Sequence, residues 1–283
     1  MNYINIKTKE ALAAYLDSLE ENRCQVIALD MEAELNRHAY GEKLCLVQIF
    51  DGTQTVIIDP FNIDINTLKT FFENRNILKI VYDASSDSSL MKNAYDIQIK
   101  SVLDLRPAVE LLEYKKKDLH SVIAAELGVV LTQKEKYQRH NWTKRPIDKL
   151  ALDYAISDVT YLFRLKDALL KKLYAAGLLD IFILKNLQVQ NKDYARNPED
   201  RYRKIKGYHT LSDDERRIFK KVFDIREKYA EKCNMPSHNI ISRTDLLNLA
   251  RDAGHINNIR FPRRFRDSLI QSILQELRSV GRE

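Results

Sequence analysis

Four acidic residues and one tyrosine carry the clearest chemical pattern in this chain: Asp30-x-Glu32, then Asp87, then Tyr154-x-x-x-Asp158. Asp30 and Glu32 close the strand-like run Val26-Ile27-Ala28-Leu29-Asp30, and residues two apart on a strand share a face of its sheet. Tyr154 and Asp158 stand one helical turn apart in the segment Leu150 to Leu162, which contains no Gly or Pro, so both project from one side of a helix. Carboxylates gathered in this way repel one another unless cations join them. Two divalent ions roughly 3.5 to 4 Å apart can flank a phosphate, one activating a water and the other stabilising the leaving oxygen. Oxygen ligands suit Mg²⁺ or Mn²⁺, and four acids for two ions plus substrate oxygens is a sensible count.

Composition bounds what must position these groups. The 283 residues are enough for two domains, and 45% hydrophobic content with only 7 Gly and 6 Pro argues for a folded, helix-rich chain. Cys24, Cys45 and Cys233 have no metal-ligand spacing, and their odd number argues against a disulfide framework, so they are expected to be reduced. Met1 to Lys7 has no signal-peptide apolar region and no stretch reaches membrane-spanning length, which implies a cytoplasmic protein. Residues 185–283 carry 22 Lys and Arg against 14 Asp and Glu, whereas residues 1–184 carry 24 against 26. A partner bearing phosphates fits that asymmetry, and so does a solvated helical surface.

Along the chain, an amphipathic stretch from Lys9 to Leu19 precedes the Asp30 strand. Leu44 to Phe50 and Thr55 to Ile58 read as two more strands, joined by a turn at Asp51-Gly52, which makes a three-strand meander. A helix from Asn66 to Glu73, a strand from Ile77 to Tyr82, a helix through Asp87 to Ala94 and a short strand ending at Asp104 follow. From there the pattern is almost wholly helical. The order implies an α/β domain, a mixed sheet covered by helices, over residues 1–188. Residues 189–209, with Asn197-Pro198 and Lys206-Gly207, read as a linker, and residues 210–283 as a small all-α bundle. Ser212 and Glu215 have the spacing of a capping box at its first helix.

The acidic order, the context Leu29-Asp30-x-Glu32, Tyr154-Ala155-x-x-Asp158 and the run Gln138-Arg139-His140-Asn141-Trp142-Thr143-Lys144-Arg145-Pro146 together resemble the ribonuclease D family, DEDDy-type 3′-to-5′ exonucleases with a ribonuclease H-like fold. The C-terminal unit resembles the HRDC domain, and Arg203 to Gly207 looks like the junction that precedes it in that family. The resemblance implies that Asp30, Glu32, Asp87, Tyr154 and Asp158 are catalytic. Asp30, Glu32 and Asp158 would hold one metal ion, with Asp30 shared with a second that Asp87 helps to hold, and Tyr154 would orient the attacking water. Asp83 competes with Asp87 as the second-motif acid, and Asp87 has the family's distance from the preceding strand. Tyr82 stands where the family commonly has His, and Met31 and Ala33 where Thr and an aromatic are common, so no role is carried over for those positions.

Each fragment has a plainer meaning. Asp-x-Glu after a strand is usually a solvated strand end, and Tyr-x-x-x-Asp on a helix is usually a surface pair; only their ordered combination is specific. Asp104 reads as a cap or structural hydrogen-bond acceptor. In the stretch Lys134 to Arg145, cations interleaved with Tyr137, His140 and Trp142 suit phosphate contact and base stacking, which marks Arg139, Trp142, Lys144 and Arg145 as substrate-binding candidates. Packing of a loop by Trp142 and Pro146 explains the same residues equally well. Lys115-Lys116-Lys117 is read as a solvated approach to a helix, and for Arg263-Arg264-x-Arg266 RNA binding and solvation are balanced.

The leading expectation is a 3′-to-5′ exoribonuclease that releases nucleoside 5′-monophosphates from RNA with a free 3′ end, such as a transfer RNA precursor, with no membrane and no nucleotide cofactor involved. A DNA exonuclease uses the same metal site, and an inactive nucleic-acid-binding protein is the alternative from another class. A helicase is excluded, since the sequence has no Gly-x-x-x-x-Gly-Lys-Ser/Thr phosphate loop.

Overall fold

A computed structural model describes residues 3–131, 137 and 139–280 of the chain. Two compact units emerge: the chain up to Ala33 together with Lys43–Ala195, and Glu34–Glu42 together with the chain from Arg196 onward.

The first unit is built on a six-stranded sheet of β1 (Ile4–Ile6), β2 (Val26–Leu35), β3 (Glu42–Phe50), β4 (Thr55–Ile58), β5 (Leu78–Val81) and β6 (Val102–Asp104), in the order β1-β4-β3-β2-β5-β6. β3 and β4 pair antiparallel, with Val47 opposite Ile58, whereas β1 pairs with β4, β2 with β5 and β5 with β6 in parallel. The sheet is therefore mixed, and β2, β3 and β4 are neighbours as the expected meander requires. At the turn, Asp51 accepts hydrogen bonds through Oδ1 from the backbone N–H groups of Thr53 and Gln54, both at 2.9 Å, and Gly52 takes φ 95°. That conformation is open to glycine without the clash a side chain brings. β1 was not anticipated: at three residues, with only Ile6 buried, its alternation is too short to register as a pattern.

Side chains alternate across β2. Ile27, Leu29 and Met31 enter one core with Leu12, Leu68, Phe71 and Phe72, while Ala28 faces the other way, toward Ile80, Val109, Val122 and Val159. Asp30 and Glu32 continue the Ala28 face. The helices of the first unit begin with α1 (Lys9–Glu21), α2 (Ile65–Phe72), α3 (Ser85–Tyr95), α4 (Arg106–Leu111) and α5 (Leu119–Leu127). α6 (Lys149–Thr160) starts on an Asp148 side chain that accepts from Leu150 N at 3.0 Å and Ala151 N at 3.2 Å, and it buries Ala151, Ala155, Ile156, Asp158 and Val159. α7 (Leu162–Ala175) and α8 (Leu179–Asn191) complete the unit.

The second unit is helical, with α9 (Asp200–Arg203), α10 (Asp213–Lys232), α11 (Arg243–Arg251) and α12 (Asp267–Val280) around a core that includes Phe219, Phe223, Leu246, Ile273 and Leu277. The capping box at α10 is present: Ser212 N donates to Glu215 Oε2 at 2.7 Å, and Glu215 N to Ser212 Oγ at 3.3 Å. The span read as a linker is only partly irregular, since α8 runs to Asn191 and Tyr202 is buried in the helical core. Glu34–Glu42 joins this unit through local polar contacts. Asn36 Nδ2 donates to Ser237 Oγ at 3.1 Å, Ser237 N donates to Asn36 Oδ1 at 3.3 Å, and Arg196 pairs with Glu42 at 2.6 Å. No helix among the described residues is long and apolar enough to cross a membrane.

Candidate active site

Asp30 and Glu32 lie on β2, and Asp158 lies on α6, which packs over the same face of the sheet. One carboxylate oxygen from each falls within 4.8 Å of the others. Opposite ligands on a single Mg²⁺ lie about 4 Å apart, given metal–oxygen distances near 2.1 Å, so the three are spaced as a hard-cation donor set and offer only oxygen. Asp30 and Glu32 are half-buried and Asp158 is buried. Burial, then the charges of Asp158 and Asp87, holds the Asp30 carboxyl well above the usual range; burial and the charges of Asp30, Asp158 and Asp87 do the same to Glu32. Uncompensated negative charge is thus concentrated here, and a divalent cation would relieve it.

Asp87 stands in the first turn of α3, outside the tight trio but near enough for its charge to act on Asp30 and Glu32. Burial, with Asp83 and Asp104 nearby, pushes its carboxyl up to about 7. Asp83 itself is exposed and forms an ion pair with Arg106 at 3.8 Å. Asp104 is an anchor: its carboxylate accepts from the backbone N–H groups of Asp83 at 2.8 Å, Ala84 at 3.0 Å and Arg106 at 2.9 Å, which fixes the entry to α3 and so the position of Asp87.

Tyr154 is half-buried one turn before Asp158, its hydroxyl near enough for that carboxylate to act on it. Burial first, and then the charges of Asp158, Glu32 and Asp30, drives its pKa upward. The phenol therefore keeps its proton at neutral pH and is available as a hydrogen-bond donor. Its ring lies 5.6 Å from that of Tyr137 and 5.7 Å from that of His120.

His120 is the residue that sequence reasoning missed. From the second position of α5 its Nε2 reaches Asp158 Oδ1 at 2.7 Å, and the ring is buried. A single histidine in an apolar helix, 38 residues before its partner, leaves no periodic trace.

Of the four substrate-binding candidates, Arg139, Lys144 and Arg145 are exposed, Arg145 while bonded to its neighbours, and Trp142 is buried. Arg139 and Lys144 face solvent. Trp142 is only 2% exposed and packs with Cys45, Leu46, Ile57, Ala151 and Ala155, so its faces are taken by the core and not offered to a base. Arg145 donates through Nε and Nη2 to Asp59 at 2.6 and 3.0 Å, through Nη2 to Cys45 O at 2.7 Å and through Nη1 to Trp142 O at 2.7 Å, with its guanidinium 4.3 Å from the Phe61 ring centre. It staples the segment to the sheet, and the burial of Trp142 corrects the expectation that its ring stacks on substrate. Lys134, Lys136 and Gln138 lie outside the described residues.

The mixed sheet, the helix laid across it and the acidic trio at their junction define a class. Residues 3–174 match the 3′-5′ exonuclease family, and the chain belongs to it. Within that family it is similar to ribonuclease D of Escherichia coli, at 27% identity over 262 residues that cover 89% of this chain and 66% of the relative. It is also similar to the exosome complex component 10 homolog of Caenorhabditis elegans, at 28% identity over 98% of this chain and 33% of the relative. The crystal structure of Escherichia coli RNase D, described as an exoribonuclease involved in structured RNA processing, shares the fold with a TM-score of 0.73 at 24% identity, over 99% of this chain and 76% of that one. The catalytic core of RRP6 from Trypanosoma brucei does so with a TM-score of 0.77 at 22% identity, over 99% and 79%. The chain spans about two thirds or less of the length of the curated relatives it matches.

Proposed function

We propose that this chain is a divalent-metal-dependent 3′-to-5′ exoribonuclease that releases nucleoside 5′-monophosphates from RNA with a free 3′ end, transfer RNA precursors being the substrate class that the sequence resemblance implies. The carrying observation is the convergence of Asp30, Glu32 and Asp158 oxygens within 4.8 Å. Asp30, Glu32 and Asp158 would hold one Mg²⁺ or Mn²⁺, with Asp30 shared with a second ion that Asp87 helps to hold. Bound there, the ions supply hydroxide at neutral pH and neutralise charge on the phosphate.

The chain's own residues do the rest. Tyr154, kept protonated by its surroundings, directs a lone pair of the attacking water at phosphorus through hydrogen bonding. The bond from phosphorus to the 3′ oxygen of the penultimate nucleotide breaks; water's oxygen ends on the released monophosphate and one of its protons on the new 3′-hydroxyl. The helical second unit is read as an HRDC-like module over 210–283, with 189–209 as its junction, that helps grip RNA. Its excess of basic residues supports that role. Exposed Arg139 and Lys144 belong to the substrate path in this reading. A cytoplasmic location fits a substrate of that kind.

The test is release of nucleotide from RNA in Mg²⁺, its abolition by EDTA, and its loss in Asp158→Asn. Release that persists in EDTA, or near-wild-type rates in that variant, would overturn the proposal.

A further inference from the structure

We infer that His120 is a positioning residue of the catalytic site, acting on both Tyr154 and Asp158: it fixes the Asp158 carboxylate by a hydrogen bond and backs the Tyr154 ring. The inference rests on the metal-site reading above and adds a residue to it.

A carboxylate can only accept, so at the 2.7 Å contact Nε2 carries the proton and donates to Asp158 Oδ1. That bond spends Oδ1 on the protein and leaves Oδ2 as the oxygen offered to a cation. Without it, the Asp158 side chain has a competing partner one turn away, the Tyr154 hydroxyl, and an unrestrained rotation of its carboxyl group. His120 limits the second residue too, with its ring 5.7 Å from that of Tyr154. The residue is well placed for this work. It sits in the first turn of α5, whose start is fixed by Asp118 accepting from Ser121 N at 3.3 Å, and its neighbours Val122 and Ile123 are fully buried in the core that also takes Val159 of α6. α5 and α6 are therefore anchored in one apolar core next to the polar contact. Groups that orient metal ligands in this way commonly change metal affinity by 10- to 100-fold.

Two variants of similar bulk separate positioning from packing. His120→Gln can place an amide N–H where Nε2 stands, and His120→Leu fills the space without a donor. Mn²⁺ binding to the RNA-free protein, followed by the paramagnetic signal of the free ion, is predicted to weaken roughly 10-fold or more in His120→Leu and to recover most of that loss in His120→Gln. kcat should follow the same order, with KM for RNA unchanged. If His120→Leu does not fold, His120→Met makes the same comparison. Wild-type binding of Mn²⁺ with equal affinity in the Leu or Met variant overturns the role of His120 alone. A wild-type protein that binds no Mn²⁺ overturns the metal-site reading and this inference with it.

Discussion

At the residue scale, Asp30 shows the tension of the site: half-buried and grouped with Glu32 and Asp158, its carboxyl is held well above the usual range by burial and by the charges of Asp158 and Asp87. Removing its charge should abolish hydrolysis yet steady the metal-free fold. Asp30→Asn is predicted to melt a few degrees above wild type in EDTA, about 1 kcal/mol, while losing more than about 10³-fold in nucleotide release. A lower melting temperature in EDTA would show that the acids do not strain the empty cluster. Tyr154→Phe removes a donor and leaves the acids in place, so kcat should fall roughly 10²-fold with Mn²⁺ affinity little changed; an equal loss of affinity would make the hydroxyl a structural tie to Asp158. These residues were legible in the sequence because two-residue and four-residue spacings encode the strand and helix faces that bring them together. His120 was not, since its contact with Asp158 joins two helices 38 residues apart in sequence and follows from the tertiary fold, not from spacing. The burial of Trp142 was equally hidden: an aromatic among cations reads the same whether it faces RNA or the core.

Among the elements, β5 carries a fully buried lysine. Lys79 Nζ donates to Asn74 O at 2.7 Å, Ile77 O at 3.0 Å and Lys100 O at 3.0 Å, tying the strand to the segments before and beyond it. Burial pushes its ammonium down to about 8. The sign of the linkage follows: between that value and the roughly 10.4 of an unfolded lysine, the unfolded chain binds more protons, so stability rises with pH across this window, and below it the whole desolvation cost is present. Against Lys79→Met, wild type should gain up to about 3 kcal/mol between pH 8 and 10.4 by urea unfolding of both proteins. A pH-independent difference would mean that the three carbonyls hold the ammonium charged throughout. The main strands and helices of the first unit were readable from apolar alternation and helical periodicity. β1 was not, because three residues become a strand only by pairing with β4.

For the whole molecule, the chain divides into two compact units, each made of two separate stretches of sequence. Glu34–Glu42 belongs to the helical unit through Asn36, Tyr40 and Glu42, a long-range assignment that no local composition signals. Arg263, Arg264 and Arg266 are exposed on that unit. If they meet phosphates, replacing all three with Ala should lower the slope of log affinity against log salt by up to about 2 for single-stranded RNA while kcat is retained. An unchanged slope would leave them as a solvated face. Polarity and substrate choice belong to this scale as well, and matched RNA and DNA oligonucleotides, each with a free or a blocked 3′ end, read both in one experiment with Mg²⁺. The account predicts stepwise shortening of unblocked RNA, with nucleoside 5′-monophosphate as the product and no cleavage of the blocked strands. Internal cutting, or faster degradation of DNA than of RNA, would contradict it.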